Sequence, residues 1–382
     1  VTDAVTHELL SWEEGDNRVI NQEIIDGQVL VLHGGHLRLR EETWRAAGVV
    51  APVFSLRSEH SYGVGDFGDL KRMVDWAVAT GMKFIQTLPV TDTTTDGHWH
   101  DSYPYNIVSV MALHPHYVDL ESAGTLRSKA QMTQFQRRRQ ELNALSYSDY
   151  EAVGRVKNEY LQILFDEQGK SLMATKEYKA FVSANNDWLQ PYAAFRQQDF
   201  DFVCFVQYLL HTQLKSAADY ARSHGVVLKG DLPIGVNRDS VETRQHPDLF
   251  CLDSQAGAPP DAFSQQGQNW GFPTYRWSDE LVAWFQRRMR HLSQYFDAIR
   301  IDHVLGFFRI WEIPVGAIDG ILGHFSPALP LTVSEIEYFG LPFRKDLFTK
   351  PFINDRLVDR LFGLHAQYVR DNFLVRKAYG LY

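Results

Sequence analysis

The chain has 382 residues, 45% of them hydrophobic and 22% charged, with a formal net charge of −9. This is the composition of a globular protein, long enough for one large α/β barrel or for more than one domain. The negative charge argues against a nucleic-acid backbone as partner, no apolar run reaches the ~18 residues of a membrane span, and two cysteines alone, Cys204 and Cys251, point to a reducing, cytoplasmic setting rather than a disulfide framework.

The first ten residues lack the basic and apolar regions of a secretory leader. They also lack an initiator Met, so the expectation is that the true start was removed or lies upstream. A polar turn around Trp12 precedes a short apolar strand, and residues 1–20 read as separate from the rest of the chain. Residues 49–56 form an apolar run that ends at a polar loop. Residues 67–80 have helical spacing through Leu70, Met73, Val74, Ala77 and Val78, and the pattern stops at Gly81. Residues 84–90 form the next strand. Strand–helix–strand order predicts a parallel sheet with crossover helices.

The stretch 121–200 is charged and helical, with amphipathic segments at 150–165 and 177–192, and reads as an inserted helical subdomain. A helix at 202–224 leads into a third strand at 226–234, and a helix at 280–296 leads into a fourth at 298–301. After these come an apolar stretch at 307–313, a Pro-rich stretch and helical segments such as 355–371. No convincing fifth to eighth strand is found, whereas a (β/α)₈ barrel needs eight. Half a barrel leaves open parallel edges, so the remaining strands are expected from a longer polypeptide or from elsewhere.

The fourth strand carries the chemistry. It reads Phe296-Asp297-Ala298-Ile299-Arg300-Ile301-Asp302-His303, and period-2 alternation puts Arg300 and Asp302 on one face. A guanidinium beside a carboxylate favours the anion. An ionised Asp at the C-terminal end of a barrel strand is a candidate nucleophile for sugar chemistry. A purely structural Arg–Asp pair is the competing reading. The aromatic share is 13%, with 9 Trp and 17 Tyr, and aromatics in loops make platforms for sugar rings.

Three loops bear on this. Gly63-Val64-Gly65-Asp66-Phe67-Gly68-Asp69 resembles a dinucleotide loop on the surface, but Asp66 sits where phosphate would be repelled; the plainer reading is a turn in which Asp66 or Asp69 caps a helix. His98-Trp99-His100-Asp101-Ser102-Tyr103-Pro104-Tyr105 comes after the second strand. Its spacing fits a polar-aromatic sugar-contact loop better than a metal site, and a packed surface turn is the alternative. The long Gly/Pro loop 257–277 offers Trp270 and Tyr275 to bracket a saccharide and Gln268 and Asn269 to bind hydroxyls, with Trp277 assigned to packing.

Taken together, Ser61–Asp69, Asp101-Ser102-Tyr103-Pro104-Tyr105, Lys229-Gly230-Asp231-Leu232-Pro233-Ile234-Gly235-Val236, the 257–277 loop and Arg300-Ile301-Asp302-His303 resemble the 4-α-glucanotransferases of the amylomaltase/disproportionating-enzyme family, glycoside hydrolase family 77. They span most of residues 36–314 in the family's order. Tyr103-Pro104-Tyr105, Ala112-Leu113-His114-Pro115 and Val304–Trp311 are most similar to the maltose-using type of the plant cytosol and some bacteria; His114 stands where most amylomaltases have Asn.

The resemblance implies an α/β fold, a (β/α)₈ TIM barrel of the α-amylase clan with an inserted helical subdomain, of which about the first half is evident. It implies this division: 1–20, the tail of an upstream starch-binding module; 21–120, the first barrel units; 121–200, the helical subdomain; 201–325, the units with the nucleophile; 326–382, the start of a helical insertion. It implies retaining transfer of glucosyl or maltosyl units from maltose or malto-oligosaccharides to the 4-OH of starch- or glycogen-like glucans. Asp302 would be the nucleophile and Arg300 would hold it ionised. His303 and Asp231 would support the reacting sugar, and Tyr105, Asp101, Gln268 and Trp270 would contact substrate. No cofactor, metal, nucleic acid or membrane is expected; a homo-oligomer is left open.

Retaining chemistry also needs a carboxylic acid about 5–5.5 Å from the nucleophile. In the family it is a Glu on the fifth strand, and neither Glu312 nor Glu335 has that context. Two joins, Phe195-Arg196-Gln197 and Ser278-Asp279-Glu280, read as skipping family loops, so segments are expected to be missing there. Two rival functions stand beside transfer: an α-glucan hydrolase of the same clan and a non-catalytic glucan-binding fragment.

Overall fold

A computed structural model describes Thr6 and residues 45–382. The expected strand after Trp12 lies outside the described residues. The chain divides into two compact units, one running to Ala256 and including Trp270–Val304, the other made of Gly257–Asn269 and Leu305–Tyr382. The first half of the long 257–277 loop, Gly257–Asn269, goes with the C-terminal unit.

Four parallel strands order the first unit: Gly48–Val50, Phe84–Gln86, Val227–Leu232 and Ala298–Ile301, neighbours in that sequence. The expected crossover helices are present. The first, Phe67–Ala79, starts at Asp66, whose side chain accepts from the backbone N–H of Gly68 and Asp69, while Asp69 accepts from the N–H of Asp66. This is a reciprocal cap, so the helix-capping reading of the Gly63–Asp69 loop holds. The helix stops where Gly81 turns left-handed (φ +74°).

The long helix Phe200–Ser223 is capped by Asp199 and buries Phe202, Phe205, Leu209, Leu210, Leu214, Ala217 and Ala221, a stripe at three- and four-residue spacing. That stripe shares one core with Ile85 and Leu228 of the sheet. Gly230 is small for a reason: a Cβ there would lie 2.6 Å from the Phe296 ring.

The helices Lys129–Asn143 and Tyr150–Leu164, within the 121–200 insertion, contribute Phe135, Val153, Tyr160 and Leu161 to the same core. Lys157 fixes the arrangement. It is buried, and its ammonium donates to the carbonyls of His116 (2.6 Å) and Val118 (2.8 Å) and lies 3.8 Å from Asp66.

In the second unit the apolar 307–313 stretch becomes the strand Ile310–Pro314, which pairs antiparallel with His324–Ser326 rather than extending the parallel sheet. The 355–371 segment is two helices, Asp355–Phe362 and Ala366–Phe373, because Gly363 adopts φ +50° between them. Among the described residues no helix is long and apolar enough to cross a membrane.

Burial sets a pH response. His114 and His291 are both buried, and burial pushes each imidazole from 6.5 down to about 4. The unfolded chain therefore takes up protons first as pH falls. The stability contribution is complete above 6.5 and is lost between 6.5 and about 4, at up to about 1.4 kcal/mol per pH unit per group. His114 also accepts the His116 N–H at Nδ1 (3.1 Å), a bond that an Asn side chain two residues upstream can reproduce. His114→Asn is expected to reduce the loss of melting temperature between about pH 7 and pH 5; an unchanged loss would contradict this assignment.

Candidate active site

Register builds the site. The last two strands pair so that Asp231 lies opposite Arg300, and the chain leaves the sheet immediately after Ile301. The Asp302 N–H donates to the Leu232 carbonyl (3.0 Å), which fixes that carboxylate beside the end of the neighbouring strand. Arg300 and Asp302 share a face, as alternation requires.

The Arg300 guanidinium spans both acids. One terminal nitrogen donates to Asp231 Oδ2 (2.8 Å) and to the Tyr105 hydroxyl (3.1 Å), and the other lies 2.8 Å from Asp302 Oδ1. Tyr105 in turn donates its hydroxyl to Asp231 Oδ2 at 2.7 Å. The Asp231 side chain has no exposure, whereas that of Asp302 is 23% exposed. Burial raises the Asp231 carboxyl above its ordinary value, opposed by the bonds from Tyr105 and Arg300. Its Oδ1 is buried without a hydrogen-bond partner.

Burial likewise raises the phenols of Tyr105, bonded to Asp231, and of Tyr103, which also faces the charge of Asp302. Burial lowers His303, and the Asp302 charge opposes it.

His303 has φ +44°, left-handed for a residue with a side chain. Its ring meets the Trp270 ring edge-on, with centroids 4.8 Å apart. Trp270 is held through its N–H to the Ala256 carbonyl (2.9 Å), and the Phe272 carbonyl accepts from the Ala256 N–H (2.9 Å). The Phe272 ring presses on Gly235, where a Cβ would sit 2.1 Å from it. The result is a cavity of about 360 Å³ lined by Tyr103, Tyr105, Ile234, Trp270, Phe272, Arg300, Asp302 and His303.

Of the residues singled out in the sequence, Asp302, Arg300, Tyr105, Trp270 and His303 line this cavity, and Asp231 is bonded directly to two of them. Asp101 stands elsewhere. It is fully buried, and its Oδ2 accepts the N–H groups of Thr95, Asp96 and Gly97, so it shapes its own loop. His100 Nε2 lies 3.1 Å from Asp96 and 3.6 Å from Asp101, an imidazole between two carboxylates.

Gln268 belongs to the other unit, where it pairs with Ala258 and is exposed, and Asn269 donates to the carbonyls of Ala317 and Ile318. Tyr275 does not bracket the cavity. Its ring packs among Phe250, Trp284 and Phe285, and its hydroxyl donates to the Ile234 carbonyl (2.7 Å). Trp277 stacks on Phe285, the packing role expected of it.

Tyr103, Ile234 and Phe272 also line the cavity; the sequence reading places Tyr103 in a sugar-contact loop and the other two within quoted motifs, but singles out none of the three as a site residue. Tyr103 is adjacent in sequence to the Pro104-Tyr105 pair.

The acidic pair bridged by Arg300 thus lies at the C-terminal ends of two neighbouring parallel strands, beside the rings of Tyr103, Trp270 and Phe272. Solved structures support the fold. An amylomaltase from Corynebacterium glutamicum superimposes with a TM-score of 0.63 at 24% identity, covering 73% of this chain and 44% of that one. An amylomaltase from Streptococcus agalactiae in complex with acarbose gives 0.53 at 26% identity, covering 78% and 68%.

The family model for 4-alpha-glucanotransferase, glycoside hydrolase family 77, matches residues 51–199 and 196–329, and the chain belongs to that family. Its two matches overlap at residues 196–199. The 4-alpha-glucanotransferase DPE2 of Oryza sativa subsp. japonica is 39% identical over 95% of this chain. A 4-alpha-glucanotransferase of Chlamydia caviae is 30% identical over 71%. The chain spans 42% and 58% of the lengths of these two relatives.

Proposed function

We propose that the protein carrying this chain is a 4-α-glucanotransferase that moves glucosyl or maltosyl units from maltose or malto-oligosaccharides to the 4-OH of a glucan. The observation that carries this reading is the Arg300 guanidinium within 2.8 Å of both Asp231 and Asp302, beneath aromatic walls. Asp302 attacks the anomeric carbon of the donor as the glycosidic bond breaks and the departing sugar's oxygen takes up a proton; the glucan 4-OH then gives up a proton as its oxygen displaces Asp302 from the covalent glucosyl intermediate. Arg300 aims the carboxylate. Asp231, with one oxygen bonded to Tyr105 and Arg300 and the other unpartnered, offers an acceptor for a sugar hydroxyl. His303 and Trp270 form the wall against which the ring packs.

Among the described residues Asp302 is the one carboxylate lining the cavity, and we assign the proton donor to none of them. The relatives named 4-alpha-glucanotransferase favour transfer over hydrolysis. The low cysteine count and negative charge favour a cytoplasmic enzyme that does not act on nucleic acid.

Incubating the full-length protein with maltotriose tests this. Transfer gives a ladder of longer oligomers together with shorter sugars. Glucose and maltose with no longer product would mean hydrolysis instead.

A further inference from the structure

Tyr103 borders two cavities. One is the 360 Å³ space around Asp302; the other, of about 660 Å³, is lined by Phe54, Trp99, Tyr117 and Tyr150 with hydroxyl-bearing residues such as Thr91 and Ser148. Tyr103 is the residue common to both linings. Tyr103 is 56% exposed; its ring stands 5.8 Å from the Tyr105 ring at 46°, the two residues joined through Pro104.

The two tyrosines differ in how they are held. The Tyr105 hydroxyl is fastened to Asp231, whereas the Tyr103 hydroxyl makes no hydrogen bond among the described residues. Tyr103 thus contributes a ring face to the rim, not a bond to the acid cluster.

The larger space has the chemistry of a saccharide pocket, aromatic faces interleaved with hydroxyls. Thr91, on its wall, is buried, and its Oγ1 has no hydrogen-bond partner among the described residues. A glucan anchored at Asp302 and growing towards this space meets the Tyr103 ring first.

We propose that Tyr103 is a chain-length divider: its ring closes the Asp302 cavity against the larger one and so restricts the sugar held beside Asp302 to short units. This rests on the carbohydrate reading of the site. The divider works by shape. A ring without its hydroxyl divides as well, and a methyl group does not.

The test uses the full-length protein in an Asp302→Asn background, so that sugars bind without turnover, with maltotriose and maltoheptaose affinities measured by calorimetry. Tyr103→Ala is expected to raise the preference for maltoheptaose over maltotriose about tenfold, and Tyr103→Phe to keep the parental ratio. With Asp302 restored, the alanine variant should transfer longer segments. An unchanged ratio in Tyr103→Ala, or an equal loss for both sugars, would overturn the proposal and make Tyr103 an ordinary stacking platform. If the ratio shifts while the parent protein makes no maltotriose ladder, the divider stands and the transferase reading falls; if neither sugar binds, both fall.

Discussion

Asp302→Asn in the full-length protein is expected to lower transfer from maltotriose by on the order of 10⁴-fold or more. The amide matches the carboxylate in shape, and the position is 23% exposed at the end of a strand whose backbone bond to Leu232 it leaves in place. Folding should therefore be spared. What disappears is the charged oxygen that must attack the anomeric carbon. Sugar binding should survive, because the walls supplied by Trp270, Phe272 and Tyr105 are untouched. A variant that retains a tenth of parental transfer would remove Asp302 from the mechanism.

Arg300→Met should cost about 10²–10³-fold in transfer, the scale for losing one preorganised electrostatic contact. It has a second consequence. Asp231 has no exposure and relies on Arg300 and Tyr105 for its bonds, so removing the cation strands a buried carboxylate. Breaking such a pair typically costs about 3–5 kcal/mol, reduced here because the Arg300 side chain is itself 38% exposed.

Arg300→Lys separates the two effects. An ammonium restores the charge and much of the stability, but it cannot reach Asp231 and Asp302 from a planar fork in the way two guanidinium nitrogens do. Stability near parental with transfer still reduced is the expected result, read by thermal unfolding alongside the maltotriose assay. Full activity in Arg300→Lys would mean that charge alone suffices.

The fold and site were legible in the sequence where local rules act alone. Alternation set Arg300 and Asp302 on one face, and helical spacing bounded by Asp66 and Gly81 defined the first crossover helix. Legibility fell where tertiary contacts decide. Asp101 is drawn inward by three backbone N–H groups of a turn, and nothing in its flanking residues announces that demand. Tyr275 lies on a two-residue strand, too short to show a period, and its inward direction comes from pairing Phe250 with Tyr275. Ile234 and Phe272 are apolar residues of ordinary core type, and only the folded chain brings them to a cavity wall.

The central claim is that one carboxylate bonds covalently to the sugar in transit. Trapping with an activated 5-fluoro-glucosyl fluoride, then digestion and peptide mass spectrometry, tests it most directly. The account predicts a single glycosylated peptide, the one containing Asp302, and protection of that peptide by excess maltose. Label on a different carboxylate in the full-length protein would contradict it.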